Sequence, residues 1–102
     1  MNVYQVFFPT IALEKKFDKV LSRIPQSKIR EEIIQKVERL ASNPRPADTG
    51  SFKRLNPPVE VYALTAQYRL RVGDYRILYD VDDARKVVWI LALRKRNEAT
   101  YR

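Results

Sequence analysis

The sequence predicts an α+β fold: a small antiparallel sheet, made of a first strand and a three-stranded meander, with two helices packed on one face. Three observations predict it. Tyr68 to Tyr79, YRLRVGDYRILY, reads as two strands joined at Gly73-Asp74. Two helix-period apolar stripes precede it. Strand patterning of period two then dominates the chain from Val61 to Leu93. At 102 residues, with 45% hydrophobic and 31% charged residues, the chain fits one globular domain spanning 1–102.

The elements follow in order. Val3 to Phe8 is apolar and β-prone, and Pro9 stops it. Thr10 suits a helix N-cap. Leu13, Phe17 and Leu21, flanked by Val20 and Ile24, give residues 10–23 one apolar face, and Pro25 ends the segment. Ser27 suits the cap of a second helix, with the stripe Ile29, Ile33, Val37 and Leu40. Its opposite face mixes both charge signs, the pattern of a solvated surface. Ser42-Asn43-Pro44 ends it. Residues 43–60 hold Pro44, Pro46, Pro57, Pro58 and Gly50, and read as one long irregular loop. Strands are expected at Val61–Val72, Tyr75–Val81 and Val87–Leu93, with a second turn at Asp82-Asp83-Ala84.

The hairpin carries the chemistry. Side chains alternate across a strand, so Arg69 and Arg71 share the face opposite Leu70 and Val72. A Gly-first two-residue loop suits a type II′ turn and sets Val72 opposite Tyr75 and Arg71 opposite Arg76. Leu70, Val72, Tyr75, Ile77 and Tyr79 then meet the helices, while three guanidinium groups converge on the open face. Like charges directly opposite each other destabilise a sheet, which points to an anion between them. A phosphate suits planar, forked donors. The last strand is apolar on both faces, so its register stays open; Trp89 is expected in the core.

Composition narrows the partners. Twenty basic residues against 12 acidic give a net charge of +8, which favours nucleic acid or another polyanion. The chain has no Cys and no His, which excludes disulfides, thiolate metal sites and the usual general base. The N-terminus lacks the charged and apolar regions of a signal peptide, and no apolar run reaches membrane-spanning length. A cytoplasmic protein with no metal and no cofactor is expected. The tail RKRNEATYR adds Arg94, Lys95, Arg96 and Tyr101 beside the sheet.

Taken together, YRLRVGDYRILYDVDD, VVWILALRKR and a tyrosine near the end resemble the RelE/ParE superfamily of toxins from type II toxin–antitoxin pairs. The resemblance spans nearly the whole chain. It implies a RelE-like toxin that cuts messenger RNA in the ribosomal decoding site, an mRNA interferase that inhibits translation. It also implies a cognate antitoxin, and contact with operator DNA only through the antitoxin complex. By the same resemblance Arg69 and Arg71 match a basic pair before the turn, and Arg76 the arginine of the hairpin motif. Arg94 or Arg96 matches the basic residue after the last strand, Arg96 being favoured. Tyr101 matches the terminal tyrosine, and Lys53 a loop lysine. The implied roles are catalysis for Arg76, Arg96 and Tyr101, and phosphate binding for Lys53, Arg69, Arg71, Arg94 and Lys95. Asp80 and Glu98 are alternative bases. Two features depart from relatives: arginines stand at 69 and 71 where some have lysines, and the chain stops one residue after Tyr101. A ParE-like inhibitor of DNA gyrase without ribonuclease activity, or an inactive binding relative, is the alternative.

Overall fold

The structure, a computed structural model, describes residues 3–96, the side chain of Asp48 excepted. Strand β1 spans Gln5–Phe7, helix α1 Ile11–Ser22 and helix α2 Ser27–Arg39. Four strands follow: β2 Phe52–Val61, β3 Leu64–Val72, β4 Tyr75–Asp82 and β5 Val87–Lys95. They form one sheet in the order β1-β5-β4-β3-β2.

Both helices form where the apolar spacing places them. The Thr10 hydroxyl accepts a hydrogen bond from the Leu13 N–H at 3.1 Å, satisfying one orphan donor of the first turn of α1. Helix α2 is capped differently from expectation: Gln26 is its N-cap and makes no side-chain bond, and Ser27 is already helical. Phe17 from α1 and Ile33 and Leu40 from the α2 region bury against Leu70, Val72, Ile77, Tyr79, Val88, Ile90 and Leu93. The helix-facing side of the hairpin is therefore the one its alternation predicts.

The sheet departs from the expected one in three ways. First, it is mixed: β1 pairs with β5 in parallel, Gln5 with Val87 through Phe7 with Trp89, while the other pairs are antiparallel. Parallel neighbours need a crossover, and the α1–α2 pair with the meander supplies it. Secondly, the meander has four strands, because Phe52–Val61 of the expected loop is a strand. Proline cannot donate to a ladder, so Pro57 and Pro58 argue against a central strand, but β2 lies on the sheet edge where proline is tolerated. The prolines fall where the register shifts, between Arg54 and Val59, and the Asn56–Pro57 bond is cis. The expected single strand Val61–Val72 is broken at Tyr62-Ala63, with Tyr62 at φ 57°.

Thirdly, β5 carries a bulge. Leu78 pairs with Ala92, but Tyr79 pairs with Ile90, leaving Leu91 as an extra residue. This inverts the phase of the strand. Val88, Ile90 and Leu93 face the helices. Trp89 sits opposite Asp80, half-buried and 6.2 Å from the Phe7 ring, so it is not the core residue the pattern suggests. A second apolar cluster joins Leu13, Val61, Ala66, Leu78 and Leu91. Since β2 and β5 are separated by two strands, their meeting beside α1 requires the sheet to curl. The curl buries Leu78, so the face away from the helices is not open along its whole length.

Candidate nucleic-acid interface

Gly73 at φ 57° makes the turn that a Gly-first loop requires. Across it, Val72 pairs with Tyr75 and Arg71 with Arg76. Arg76 in turn pairs with Arg94. Three arginines from three adjacent strands thus form one row, with directly opposed Cβ atoms about 5 Å apart. The next row on this face is Lys53, Arg69, Leu78 and Ala92. Lys53 closes the patch at the edge strand.

The β5 bulge completes this patch. An unbroken alternation from Ile90 would turn position 94 toward the helices; the extra Leu91 turns Arg94 onto the arginine face instead. The same phase change takes Lys95 away. Lys95 pairs with Tyr75 and lines a cleft with Pro25, Ile29 and Gly73, so it stands apart from the arginine row. Arg96 lies one step past the strand, its backbone N–H donating to the Asp74 carbonyl. Tyr101 and Glu98 lie outside the described residues. Asp80 shares the face but sits four residues from Arg76, about 13 Å along the strand, with buried Leu78 between. Burial raises the Asp80 pKa above the ordinary carboxylate value.

Main-chain carbonyls hold two of the arginines in place. Arg69 donates through Nη1 to the Ser51 carbonyl at 3.1 Å, which also accepts the Arg71 backbone N–H at 3.0 Å. Arg71 donates through Nε to the Gly73 carbonyl at 3.2 Å. These acceptors orient the guanidinium groups.

A second polar cluster, which the sequence reading missed, pins the Pro-rich loop to the sheet. Arg45 donates through Nη1 and Nη2 to the two Asp83 oxygens at 3.1 and 2.8 Å, and through Nε to the Tyr68 hydroxyl at 2.9 Å. Tyr4 donates to Asp83 at 2.6 Å, and Tyr79 donates to the Pro44 carbonyl at 2.8 Å. The guanidinium of Arg45 lies 5.2 Å from the Tyr68 ring centroid. No local signal marks Arg45, because its carboxylate partner is remote in sequence. The Arg45 and Tyr4 donors hold the Asp83 carboxyl down at about 2. Burial pushes the Tyr79 phenol upward. A carboxylate depressed in the fold contributes stability above its unfolded value near 3.8, and that contribution is lost as pH falls through about 2. The melting temperature should therefore drop between about pH 4 and pH 2 more steeply in the native protein than in Asp83→Asn. Parallel acid melting curves for the two would exclude the clamp as a source of acid sensitivity.

Among the described residues no group of His, Cys, Asp and Glu is suited to a metal ion, and no helix is long and apolar enough to cross a membrane.

A curled mixed sheet with two helices on one side and a cationic patch on the other defines a small basic α+β protein. Residues 11–100 match the family model described as the ParE toxin of the type II toxin–antitoxin system parDE. The chain belongs to that family, within the RelE/ParE superfamily of type II toxins. No curated protein sequence matches it significantly. Among solved structures it resembles the archaeal RelE–RelB complex from Pyrococcus horikoshii OT3, with 28% identity and a TM-score of 0.70 over 95% of this chain and 99% of that one. The toxin–antitoxin complex RelBE2 from Mycobacterium tuberculosis is similar at 26% identity and a TM-score of 0.59, covering 91% of this chain and 98% of that one. A mutant E. coli RelE in the free state shares the fold at 21% identity and a TM-score of 0.56, with 99% and 92% covered.

Proposed function

We propose that this toxin is a metal-independent endoribonuclease that cuts messenger RNA in the ribosomal decoding site and so arrests translation. One observation carries the reading: the register that sets Arg71, Arg76 and Arg94 side by side, with Lys53 and Arg69 in the adjoining row. Guanidinium groups opposed across a sheet repel each other, and a phosphodiester between them relieves the repulsion while taking up their forked donors.

The reaction is attack of a ribose 2′-OH on the adjacent phosphorus. It forms a 2′,3′-cyclic phosphate and releases the 5′-oxygen, which leaves as a 5′-OH after protonation. It needs a base, stabilisation of the phosphorane charge and an acid. Arg76, in the centre of the row, stabilises the phosphorane. Lys53, Arg69 and Arg71 hold flanking phosphates. Register favours Arg94 over Arg96 as the second cation on the reacting phosphate, leaving Arg96, past the strand end, to assist the leaving oxygen. Tyr101 serves as base: with no histidine in the chain, a phenol is the best group for it. A cognate antitoxin covers the cationic face in the resting complex, as suits a toxin of this family, and operator DNA is reached only through that complex.

The ParE family match favours a second reading, inhibition of DNA gyrase without RNA cleavage. The purified protein should cut messenger RNA when translating ribosomes are present, leaving 5′-OH ends, and should leave naked RNA largely intact. Loss of gyrase supercoiling without any RNA cleavage would establish the second reading instead.

A further inference from the structure

The row of arginines does not end at Arg94. Arg94 also lines a cleft of about 350 Å³ between α1 and the outer half of β5. Three more cations line it from α1 and its C-cap: Lys16, Lys19 and Arg23. Their spacing of three and four residues puts them on one side of the helix, over a length of about 10 Å. All three are exposed. The floor is apolar, from Leu13, Phe17, Leu91 and Leu93, and among the described residues none that lines it is acidic. At the far end stands Tyr62 from the β2–β3 turn, 71% exposed, with the Lys16 Nζ 5.5 Å from its ring centroid. An exposed aromatic ring at a hairpin tip gains little for folding.

We propose that this cleft is a second RNA site, a channel that takes the single strand leaving the arginine row. Phosphates lie along Lys16, Lys19 and Arg23, and one base stacks on Tyr62. The inference rests on the ribonuclease reading and adds a surface to it. Cations that track a backbone and end in an exposed aromatic ring are what single-stranded nucleic acid binding requires. Continuity with Arg94, itself opposite Arg76, favours RNA over an acidic amphipathic protein segment, for which the apolar floor would also suit.

Fluorescence anisotropy with a labelled single-stranded RNA decamer tests it on the full chain. Tyr62→Leu should weaken binding about tenfold, and Tyr62→Phe should restore it, since stacking needs the ring and not the hydroxyl. The double variant Lys19→Gln/Arg23→Gln should lower the slope of log affinity against log salt by about 1.4, at about 0.7 per phosphate contact. Lys15→Gln, on the same helix but outside the cleft, should change neither quantity. If Arg76→Ala weakens RNA binding while the Tyr62 and double variants do not, the channel is overturned and the arginine face stands. If none of them changes RNA binding, the ribonuclease reading falls with it. An equal effect of Lys15→Gln would reduce the cleft to general surface charge. Unchanged RNA binding by the double variant, with lost binding of a synthetic Leu/Glu amphipathic peptide, would reassign the cleft to a protein partner.

Discussion

Arg76→Ala is expected to lower single-turnover cleavage of ribosome-bound messenger RNA by roughly 100- to 1,000-fold, the usual effect of losing one preorganised charge donor at the reacting group. Cells expressing this variant alone should keep translating. Two features make Arg76 the position of largest effect. It is the central member of its row, flanked by Arg71 on β3 and Arg94 on β5. It stands on the face turned away from Ile77 and Tyr79, which are fully buried beneath the helices. Its side chain lies outside the helix–sheet core, so the fold should persist when it is truncated. Arg76→Lys keeps the charge but not the planar fork, and should retain only part of the activity. A folded Arg76→Ala protein that still arrests translation would remove the arginine row from the mechanism.

The hairpin was legible because two local rules coincide there. Period-two alternation assigns each side chain a face, and Gly73-Asp74 fixes the register, so the pairs Val72–Tyr75 and Arg71–Arg76 follow from residues 68–79 alone. The helices were legible for a similar reason: Leu13, Phe17, Ile33 and Leu40 recur at helical spacing, and all four are buried.

What escaped depends on contacts that no local pattern encodes. Strand β2 was hidden by Pro57 and Pro58, whose cost to a strand disappears only at a sheet edge, and edge position is a property of topology. The parallel pairing of β1 with β5 joins positions about 80 residues apart in the chain. The Leu91 bulge has the widest consequence. Val87 to Leu93 is apolar throughout, so a one-residue insertion leaves no trace in its hydrophobic pattern. Unbroken alternation would put positions 89 and 94 on opposite faces; the insertion puts both Trp89 and Arg94 on the face away from the helices and leaves Lys95 on the other. Phase does not separate Arg94 from Arg96, which are two residues apart; what separates them is that β5 ends at Lys95, a boundary that the run of basic residues does not mark. Arg45 escaped differently. It sits between two prolines in a segment with no periodicity, and only the folded chain brings Asp83, Tyr4 and Tyr68 to it.

Tyr101→Phe separates chemistry from binding. The substitution keeps the ring and deletes only the hydroxyl, so a tyrosine acting as the base loses its function while ribosome affinity stays nearly constant. Cleavage should fall by roughly 100-fold or more, the range for loss of a positioned general base. An unperturbed phenol titrates near 10, about three units above neutral pH. The rate of the native protein should rise with pH as the base loses its proton, and Tyr101→Phe should lose that dependence. Arg69→Ala and Arg71→Ala should behave in the opposite way. Each removes a phosphate contact, so binding weakens and its salt dependence falls by about 0.7 per residue on a single strand. The measurement is single-turnover cleavage on a stalled ribosome across a pH series, with binding followed in parallel. Undiminished cleavage by Tyr101→Phe would exclude Tyr101 and direct the search to Glu98 and Asp80. Of these, Asp80 has the raised pKa of a partly buried carboxylate but stands about 13 Å along the strand from Arg76, too far to reach the same phosphate directly.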